Sequence, residues 1–212
     1  MDDIQEAIYR KLETLDKELL IESAYFVARE RGIEMVKKLV EKGVRVRILT
    51  NSLASTDVVA AHGGYASGRK QLIENGAEIY ELRPDAVSKT VTEKRYFGPG
   101  RSRAALHTKA IVFERDSVLI GSLNMDPRAG EINTEAVLYV KSEELARHAI
   151  AYMDEGVLPQ NSYRVQLDDD GNLIWITEKD GKEVRYTMEP ESTFWQRFVS
   201  GFVQMLGIED QL

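Results

Sequence analysis

The sequence predicts an α/β fold: a mixed, largely parallel sheet flanked by helices, with a small antiparallel C-terminal meander and a terminal amphipathic helix. The first part of the chain alternates strand-like apolar runs with segments of helical period, the order expected of parallel strands joined by helices. The C-terminal part shows short strands separated by turns. With 212 residues in all, we expect a main lobe over residues 1–156 and a smaller unit over 157–212 packed on it.

The N-terminal elements follow from spacing. Apolar residues at helical intervals predict a helix over 2–16, and an apolar run predicts a strand over 18–23. Helical period returns over 30–42 and ends at Gly43, where a helix stop is expected. Residues 44–50 alternate and are rich in β-branched side chains, which predicts a second strand.

The same order continues. We predict a helix over 65–74 that is closed by Asn75 and Gly76, and then a strand over 77–82. From residue 83 to residue 105 the period is lost, and prolines and glycines accumulate, so this segment is predicted to be a loop.

Three continuous apolar runs come next, at 108–113, 117–120 and 134–140. Such runs are typical of strands that are buried on both faces. Ser142 is a suitable N-cap for a helix over 143–153.

The remaining residues predict the meander and its helix. Short strands are expected at 163–167, 173–177 and 183–187, separated by turn-rich segments. Residues 193–206 place large apolar side chains on one side of a helix. That helix either packs on its own domain or lies among lipid head groups.

Composition excludes several classes of function. Lys and Arg number 28 against 35 Asp and Glu, a net charge of −7, which makes nucleic acid an unlikely main partner because its phosphates select basic surfaces. The absence of cysteine excludes disulfides and thiolate chemistry.

Neither an apolar run of the ~20 residues that span a membrane nor a signal-peptide pattern is present. We expect a cytoplasmic location, with peripheral contact to the inner face of a membrane left open.

One constellation of residues carries chemistry. On a strand, side chains two residues apart share a face, so His107 and Lys109 project together. Ser122 and Asn124 project together for the same reason, and Gly121 removes a side chain where a ligand would come close. Polar residues at the ends of buried strands indicate a site at that edge of the sheet.

These groups suit a phosphodiester. Several hydrogen-bond donors can hold the charge of the phosphate, and the neutral imidazole of His107 can attack through its unprotonated nitrogen. A carboxylate on the other ring nitrogen would fix that tautomer, and Glu135 is the candidate. The chemistry requires no cofactor or metal, and we identify no convincing set of metal ligands.

The constellation resembles the phospholipase D superfamily motif His-x-Lys-x4-Asp-x6-Gly-Ser-x-Asn. Five residues match it in identity and spacing: His107, Lys109, Gly121, Ser122 and Asn124. The Asp position falls on Glu114, to which the resemblance assigns a supporting role, and Asp116 could substitute for it. Glu135 matches the spacing of the glutamate that orients the family's histidine.

Other segments resemble the second half of bacterial cardiolipin synthases: 20–27, 50–57, 62–65, 80–84, 124–128 and 194–195. The resemblance implies a phospholipase D-like lobe that transfers a phosphatidyl group between glycerophospholipids through a phosphohistidine. It also implies two opposed His-x-Lys motifs. This chain has one, because neither His62 nor His148 has a lysine two residues later. The second motif therefore comes from a homodimer partner or from a second lobe, and in the latter case this lobe alone is inert.

Alternatives remain at this stage. A triad of Ser122, His107 and Glu135 would catalyse acyl transfer, but the Gly-x-Ser-x-Gly elbow is missing. A phosphodiesterase that acts on another substrate, including nucleic acid, and a non-catalytic lipid-binding module are the other hypotheses.

Two further groups of residues have a functional and a structural interpretation. His62, Tyr65 and Arg69 either bind a lipid head group or make local hydrogen bonds on a helix. Arg101 and Arg103 either attract an anionic substrate or are solvated loop charges.

Overall fold

A computed structural model of the chain describes residues 4–87, 93–96, 102–126 and 135–206. Its helices are α1 (Ile4–Glu13), α2 (Glu30–Glu41), α3 (Val59–Glu74), α4 (Glu143–Gly156) and α5 (Phe194–Leu206). Its strands are β1 (Glu18–Ser23), β2 (Arg45–Asn51), β3 (Glu78–Leu82), β4 (Glu93–Tyr96), β5 (Ser102–Ala105), β6 (Lys109–Phe113), β7 (Ser117–Gly121), β8 (Val137–Lys141), β9 (Ser162–Leu167), β10 (Leu173–Lys179) and β11 (Lys182–Tyr186).

Nine of these strands form one sheet in the order β11-β10-β9-β3-β2-β1-β6-β7-β8. Only β1, β2 and β3 run parallel to one another, and the pairings on either side are antiparallel. The α/β class is confirmed, although the parallel part is narrower than the sequence suggested. The C-terminal meander is continuous with this sheet, because β9 pairs with β3.

The sheet separates two apolar layers, because neighbouring residues of a strand point to opposite faces. Ile21 and Ile111 lie in the larger layer, which α1 and α2 cover, whereas Leu20 and Val112 pack under α4. Each fully buried aliphatic side chain contributes about 1.5–3 kcal/mol to folding. This burial holds the strand ends in place.

Antiparallel pairing determines where the motif lies. Because β6 runs against β1, the first residue of β6, Lys109, lies opposite Ser23 at the end of β1. The β6–β7 hairpin then returns Gly121 to the same edge. The carboxyl ends of β1 to β3, Lys109 and Gly121 therefore meet at one edge of the sheet.

Helix α3 begins at Val59, six residues before the prediction of 65. Gly63 and Gly64 lower helix propensity locally, so the sequence pattern hid this first turn. Packing explains why it forms: a Cβ on Gly63 would lie 2.9 Å from the side chain of Val203 in α5. Glycine there permits the close approach of the two helices.

The predicted loop from 83 to 105 was partly wrong. It contains β4 and β5, which pair antiparallel in a separate two-stranded sheet. The strand predicted from 134 begins at Val137, and residue 134 lies outside the described residues.

Candidate active site

His107 is exposed on a firmly held backbone. The residue before it, Leu106, is 1% exposed and is bound by the buried carboxamide of Asn51. Asn51 accepts from the Leu106 amide at 2.8 Å and donates to the Leu106 carbonyl at 3.1 Å. The same side chain donates to the Ala24 carbonyl at 3.1 Å. Asn51 therefore positions the segment that carries the imidazole.

Lys109 is the first residue of β6 and contacts His107, which lies just before the strand begins. Its ammonium donates to the His107 carbonyl at 2.8 Å. Thr108, between them, points to the other side of the sheet, where its hydroxyl lies 2.6 Å from that of Tyr152. The imidazole and the ammonium thus lie on a segment whose middle residue is anchored beneath α4.

Ser122 connects the second half of the motif to β8. Its hydroxyl donates to the Glu135 carboxylate and accepts from the Ala136 amide at 3.1 Å, while its own amide donates to the Ala136 carbonyl at 3.0 Å. The role of Glu135 in orienting His107 stays a prediction.

The segment after Ser122 is fixed against the end of β1. The amide of Met125 donates to the Ser23 hydroxyl at 3.1 Å, and the Val27 amide donates to the Met125 carbonyl at 2.7 Å. Asn124 lies within this clamped segment, and its buried Oδ1 has no hydrogen-bond partner among the described residues. The two bonds of Met125 fix the backbone next to Asn124 at the end of β1.

Gly121 is required by the fold for a reason that the sequence did not show. A Cβ at this position would lie 2.1 Å from the Ala136 carbonyl oxygen, far inside van der Waals contact. The close neighbour is the adjoining backbone, where the sequence analysis expected a ligand.

Glu114 lies at the end of β6 opposite to His107, in a turn with a positive φ of 53°. Its carboxylate accepts from the amides of Asp16, Lys17 and Glu18 at 3.1, 2.9 and 3.2 Å. Charge-assisted bonds of this kind are about twice as strong as neutral ones. Glu114 therefore braces the entry to β1, which agrees with a supporting role away from the reacting atoms.

His62, Tyr65 and Arg69 lie on α3 and are 3%, 2% and 4% exposed. Arg69 donates to Glu81 at 2.7 Å and to Glu189 at 2.8 Å. Tyr65 also donates to Glu81, at 2.9 Å, and the Nε2 of His62 lies 3.4 Å from Glu189. We call these five residues the α3 network. These bonds are not local: the partners lie 12 to 127 residues away and all three α3 side chains are buried, so the expectation of local hydrogen bonds on a helix was wrong. Head-group binding by the three α3 residues stays a prediction.

The charges of the α3 network stabilise the ionised form of Glu189. Burial alone would raise the pKa of Glu189, but Arg69 and His62 outweigh it and lower that pKa to about 2. Trp175 completes the network by donating from Nε1 to Glu81 at 2.9 Å. Glu81 lies in the segment 80–84, to which the sequence analysis assigned a resemblance but no contact with α3. Glu189 lies 120 residues from Arg69 and carried no sequence signal.

The two interpretations of Arg101 and Arg103, attraction of an anionic substrate or solvated loop charges, both stay predictions. Arg101 and the side chain of Arg103 lie outside the described residues.

Within the described ranges, no three His, Asp or Glu residues are grouped so that they could hold a metal ion. No described helix is both long enough and apolar enough to cross a bilayer.

Comparisons with known proteins agree with the fold. Residues 8–156 match the family model described as the PLD-like domain of cardiolipin synthase. The chain is 35% identical to cardiolipin synthase C of Escherichia coli over 190 residues, which is 88% of this chain and 39% of that protein. The chain thus spans about two fifths of the length of this relative.

Solved structures show the same fold at low identity. Phosphatidylserine synthase of Haemophilus influenzae matches 99% of this chain and 45% of its own, with a TM-score of 0.64 and 15% identity. A phospholipase D family member from Salmonella typhimurium, Nuc, matches 76% of this chain and 90% of its own, with a TM-score of 0.54 and 16% identity. The chain belongs to the phospholipase D superfamily, as a domain of the cardiolipin synthase type.

Proposed function

We propose that this chain is one catalytic lobe of a phosphatidyltransferase that exchanges phosphatidyl groups between glycerophospholipids through a phosphohistidine. The observation that carries the proposal is the exposed His107 on a backbone that buried contacts hold on both sides. Lys109 adjoins it at the same sheet edge. A nucleophile that is rigidly presented to solvent suits attack on a bulky diester.

The first chemical step forms a bond between the unprotonated ring nitrogen of His107 and the phosphorus. The bond from phosphorus to the donor's alcohol oxygen breaks, and the histidine of the opposite lobe gives its proton to that oxygen. Lys109 and the carboxamide of Asn124 hold the phosphate oxygens as charge accumulates on them. Each such donor contributes about 2.7–4 kcal/mol to transition-state stabilisation.

The second step reverses this order on a new alcohol. The acceptor's hydroxyl oxygen attacks phosphorus while the opposite histidine takes its proton, and the bond to His107 breaks. Glu135 and Ser122 form a hydrogen-bonded pair that keeps the neighbouring loop in place. In this scheme Glu135 also stabilises the productive tautomer of His107.

The opposite histidine comes from outside this lobe. Two copies related by a twofold axis would place identical motifs face to face. A second lobe of a longer enzyme would do the same, and the 39% coverage of the Escherichia coli relative is compatible with that arrangement. In both cases the site lies between lobes.

A lipid surface is the proposed place of action. Phe194, Trp195 and Phe198 are 75%, 67% and 53% exposed along α5, and α5 has no acidic residue. The side-chain Nε2 of Gln196 donates to the Leu53 carbonyl at 3.1 Å, so the start of α5 contacts the segment that follows β2. An exposed apolar row at this end of the helix would suit contact with a lipid surface.

The test is a product assay on purified protein of known oligomeric state. The chain is incubated with phosphatidylglycerol vesicles, and cardiolipin and glycerol are measured by mass spectrometry. We expect both products from the unaltered chain and from His148→Ala, whose exposed histidine lies on α4, and neither from His107→Ala. A parallel incubation with single-stranded DNA tests the nuclease alternative.

The outcomes separate the hypotheses. Cleavage of DNA without lipid products would overturn the lipid assignment. Binding to vesicles without products, from a confirmed dimer, would overturn the homodimeric enzyme and leave a lobe that is inert alone. Turnover by a strictly monomeric chain would refute the shared site.

A further inference from the structure

A carboxyl group is buried directly behind the segment that carries His107. Glu22, the penultimate residue of β1, is 1% exposed. Neither of its oxygens has a hydrogen bond of good geometry among the described residues. Buried polar groups are nearly always paired, so an orphaned carboxyl group calls for a physical explanation.

Strand register places Glu22 on the α4 face of the sheet. It lies opposite Ala110 of β6, whose side chain packs in the layer under α4. Thr108 shares this face, since its hydroxyl contacts that of Tyr152 on α4 at 2.6 Å. Both hydroxyls lie close enough to Glu22 to stabilise its ionised form.

The surroundings of Glu22 make its protonated and ionised forms similarly populated near neutral pH. Burial raises the pKa of Glu22 to about 7, although Thr108, Arg47 and Tyr152 act in the opposite direction. Arg47 reaches in from β2 and donates to Asp154 of α4 at 2.6 Å, while its Nη2 has no hydrogen-bond partner among the described residues. Near neutral pH the carboxyl can therefore either accept from the hydroxyls or donate to one of them.

His107 has an anchor on each side in the chain. Leu106, before it, is held by Asn51. Thr108, after it, accepts from the Ala24 amide at 3.2 Å through its carbonyl, and its side chain enters the pocket of Glu22. The backbone on either side of His107 is thus fixed by the carboxamide of Asn51 and by the hydroxyl of Thr108, and this hydroxyl lies near the ionisable carboxyl of Glu22.

We propose that Glu22, acting through the hydroxyls of Thr108 and Tyr152, is a positioning residue for His107 and Lys109. This role rests on the proposed function, and Glu22 itself lies on the far face of the sheet from the reacting atoms. A displacement of about 1 Å in a catalytic group can reduce the rate about 100-fold. Small changes around Glu22 that move His107 are therefore expected to lower the reaction rate.

The kinetic test uses conservative variants and a soluble diester, bis-p-nitrophenyl phosphate. We expect Glu22→Gln and Thr108→Val each to lower kcat about 10-fold with KM within about 2-fold, because the interaction acts on geometry and not on binding. Thr108→Ser keeps the hydroxyl and should stay within about 2-fold of the unaltered protein. The double variant Glu22→Gln/Thr108→Val should be no slower than either single variant, since the two residues act as one unit.

The pH profile distinguishes positioning from simple packing. The kcat of the unaltered protein should contain an ionisation near pH 7 that Glu22→Gln lacks. Tyr152→Phe removes the hydroxyl that contacts Thr108 and should lower kcat as Thr108→Val does. Tyr139→Phe, at an exposed tyrosine of β8, is its matched control and should leave kcat unchanged. If the variants only melt at lower temperature, with kcat and its pH profile unchanged, Glu22 is a core residue and the inference fails.

A second readout needs no turnover. The chain has three histidines, so their ring resonances can be assigned by NMR with His107→Ala. We expect Glu22→Gln and Thr108→Val to shift the His107 signals and leave those of His148 in place. Superimposable His107 signals would overturn the positioning role, whereas absence of turnover with shifted signals would count against the proposed function alone.

Discussion

Two regions of this molecule contain the same kinds of side chains and differ in their surroundings. At the sheet edge, His107 and Lys109 lie beside the loop that Glu135 helps to hold, and His107 is exposed. In the α3 network, His62 and Arg69 meet carboxylates in a site that is almost closed to solvent. Imidazole, cation and carboxylate form a candidate catalytic site in the first region and connect structural elements in the second.

The difference lies in how deeply the charged side chains are buried. Arg69 is bound by two carboxylates, Glu81 at 2.7 Å and Glu189 at 2.8 Å, so its guanidinium is committed to the fold. Lys109 donates to the neutral carbonyl of His107 and is only partly buried, next to the exposed His107. A motif therefore becomes a site only where the tertiary structure leaves its groups accessible to a ligand.

Exchanging each histidine for glutamine should separate the two regions most clearly. We expect His107→Gln to reduce turnover at least about 1000-fold, because the nucleophile is lost, with an unfolding free energy within about 0.5 kcal/mol of the unaltered protein. His62→Gln should keep turnover per folded molecule and lose about 1–3 kcal/mol of stability. Steady-state kinetics and urea unfolding measure both quantities, and the reverse pattern would contradict the assignment.

Removing each cation is the next sharper comparison. Arg69→Met should lower the unfolding free energy by about 3–5 kcal/mol, since Glu81 would remain buried without its cation. Lys109→Met should change stability by less than about 1 kcal/mol and reduce turnover about 100-fold or more. Urea titrations followed by circular dichroism provide the stabilities. A stable Arg69→Met protein would show that the network is solvated.

Two glycines test how tightly the site edge is packed. Gly121→Ala should cost about 2–3 kcal/mol, because its Cβ would meet the Ala136 carbonyl, and it should lower activity by displacing Ser122. Gly201→Ala is the control: nothing lies within 4 Å of its Cβ in α5, so the helix should gain up to about 1 kcal/mol. Thermal unfolding of both variants decides whether the backbone approach is as close as described.

The smallest expected effect is the loss of folding stability at low pH, when Glu189 becomes protonated. The pKa of Glu189 is lowered in the fold, so its ion pair contributes stability above the ordinary value of 4.5, and this is lost as pH falls towards 2. Between about pH 6 and pH 3, the unaltered protein should lose about 1–2 kcal/mol relative to Glu189→Gln. Turnover per folded molecule should not follow this change. Parallel acid dependence in both proteins would remove Glu189 from the network.

Much of the fold was accessible to local pattern analysis. The strands of the parallel core and α2 lie where apolar period and the stop at Gly43 placed them. Lys109 lies at the edge where β1 ends because β6 pairs antiparallel with β1, whereas His107 precedes β6 and its position does not follow from strand alternation. The start of α3 was missed because Gly63 weakens the helical pattern, and only contact with α5 compensates for it.

The sequence by itself determined the order along the chain of the elements in the nine-stranded sheet and the superfamily, because each depends on spacing along the chain. Only the tertiary structure decided which polar groups are available. Arg69 and Glu189 are 120 residues apart, and Glu22 approaches Thr108 across two strands. Burial and hydrogen bonding between such distant residues depend on how layers pack, which no local period encodes.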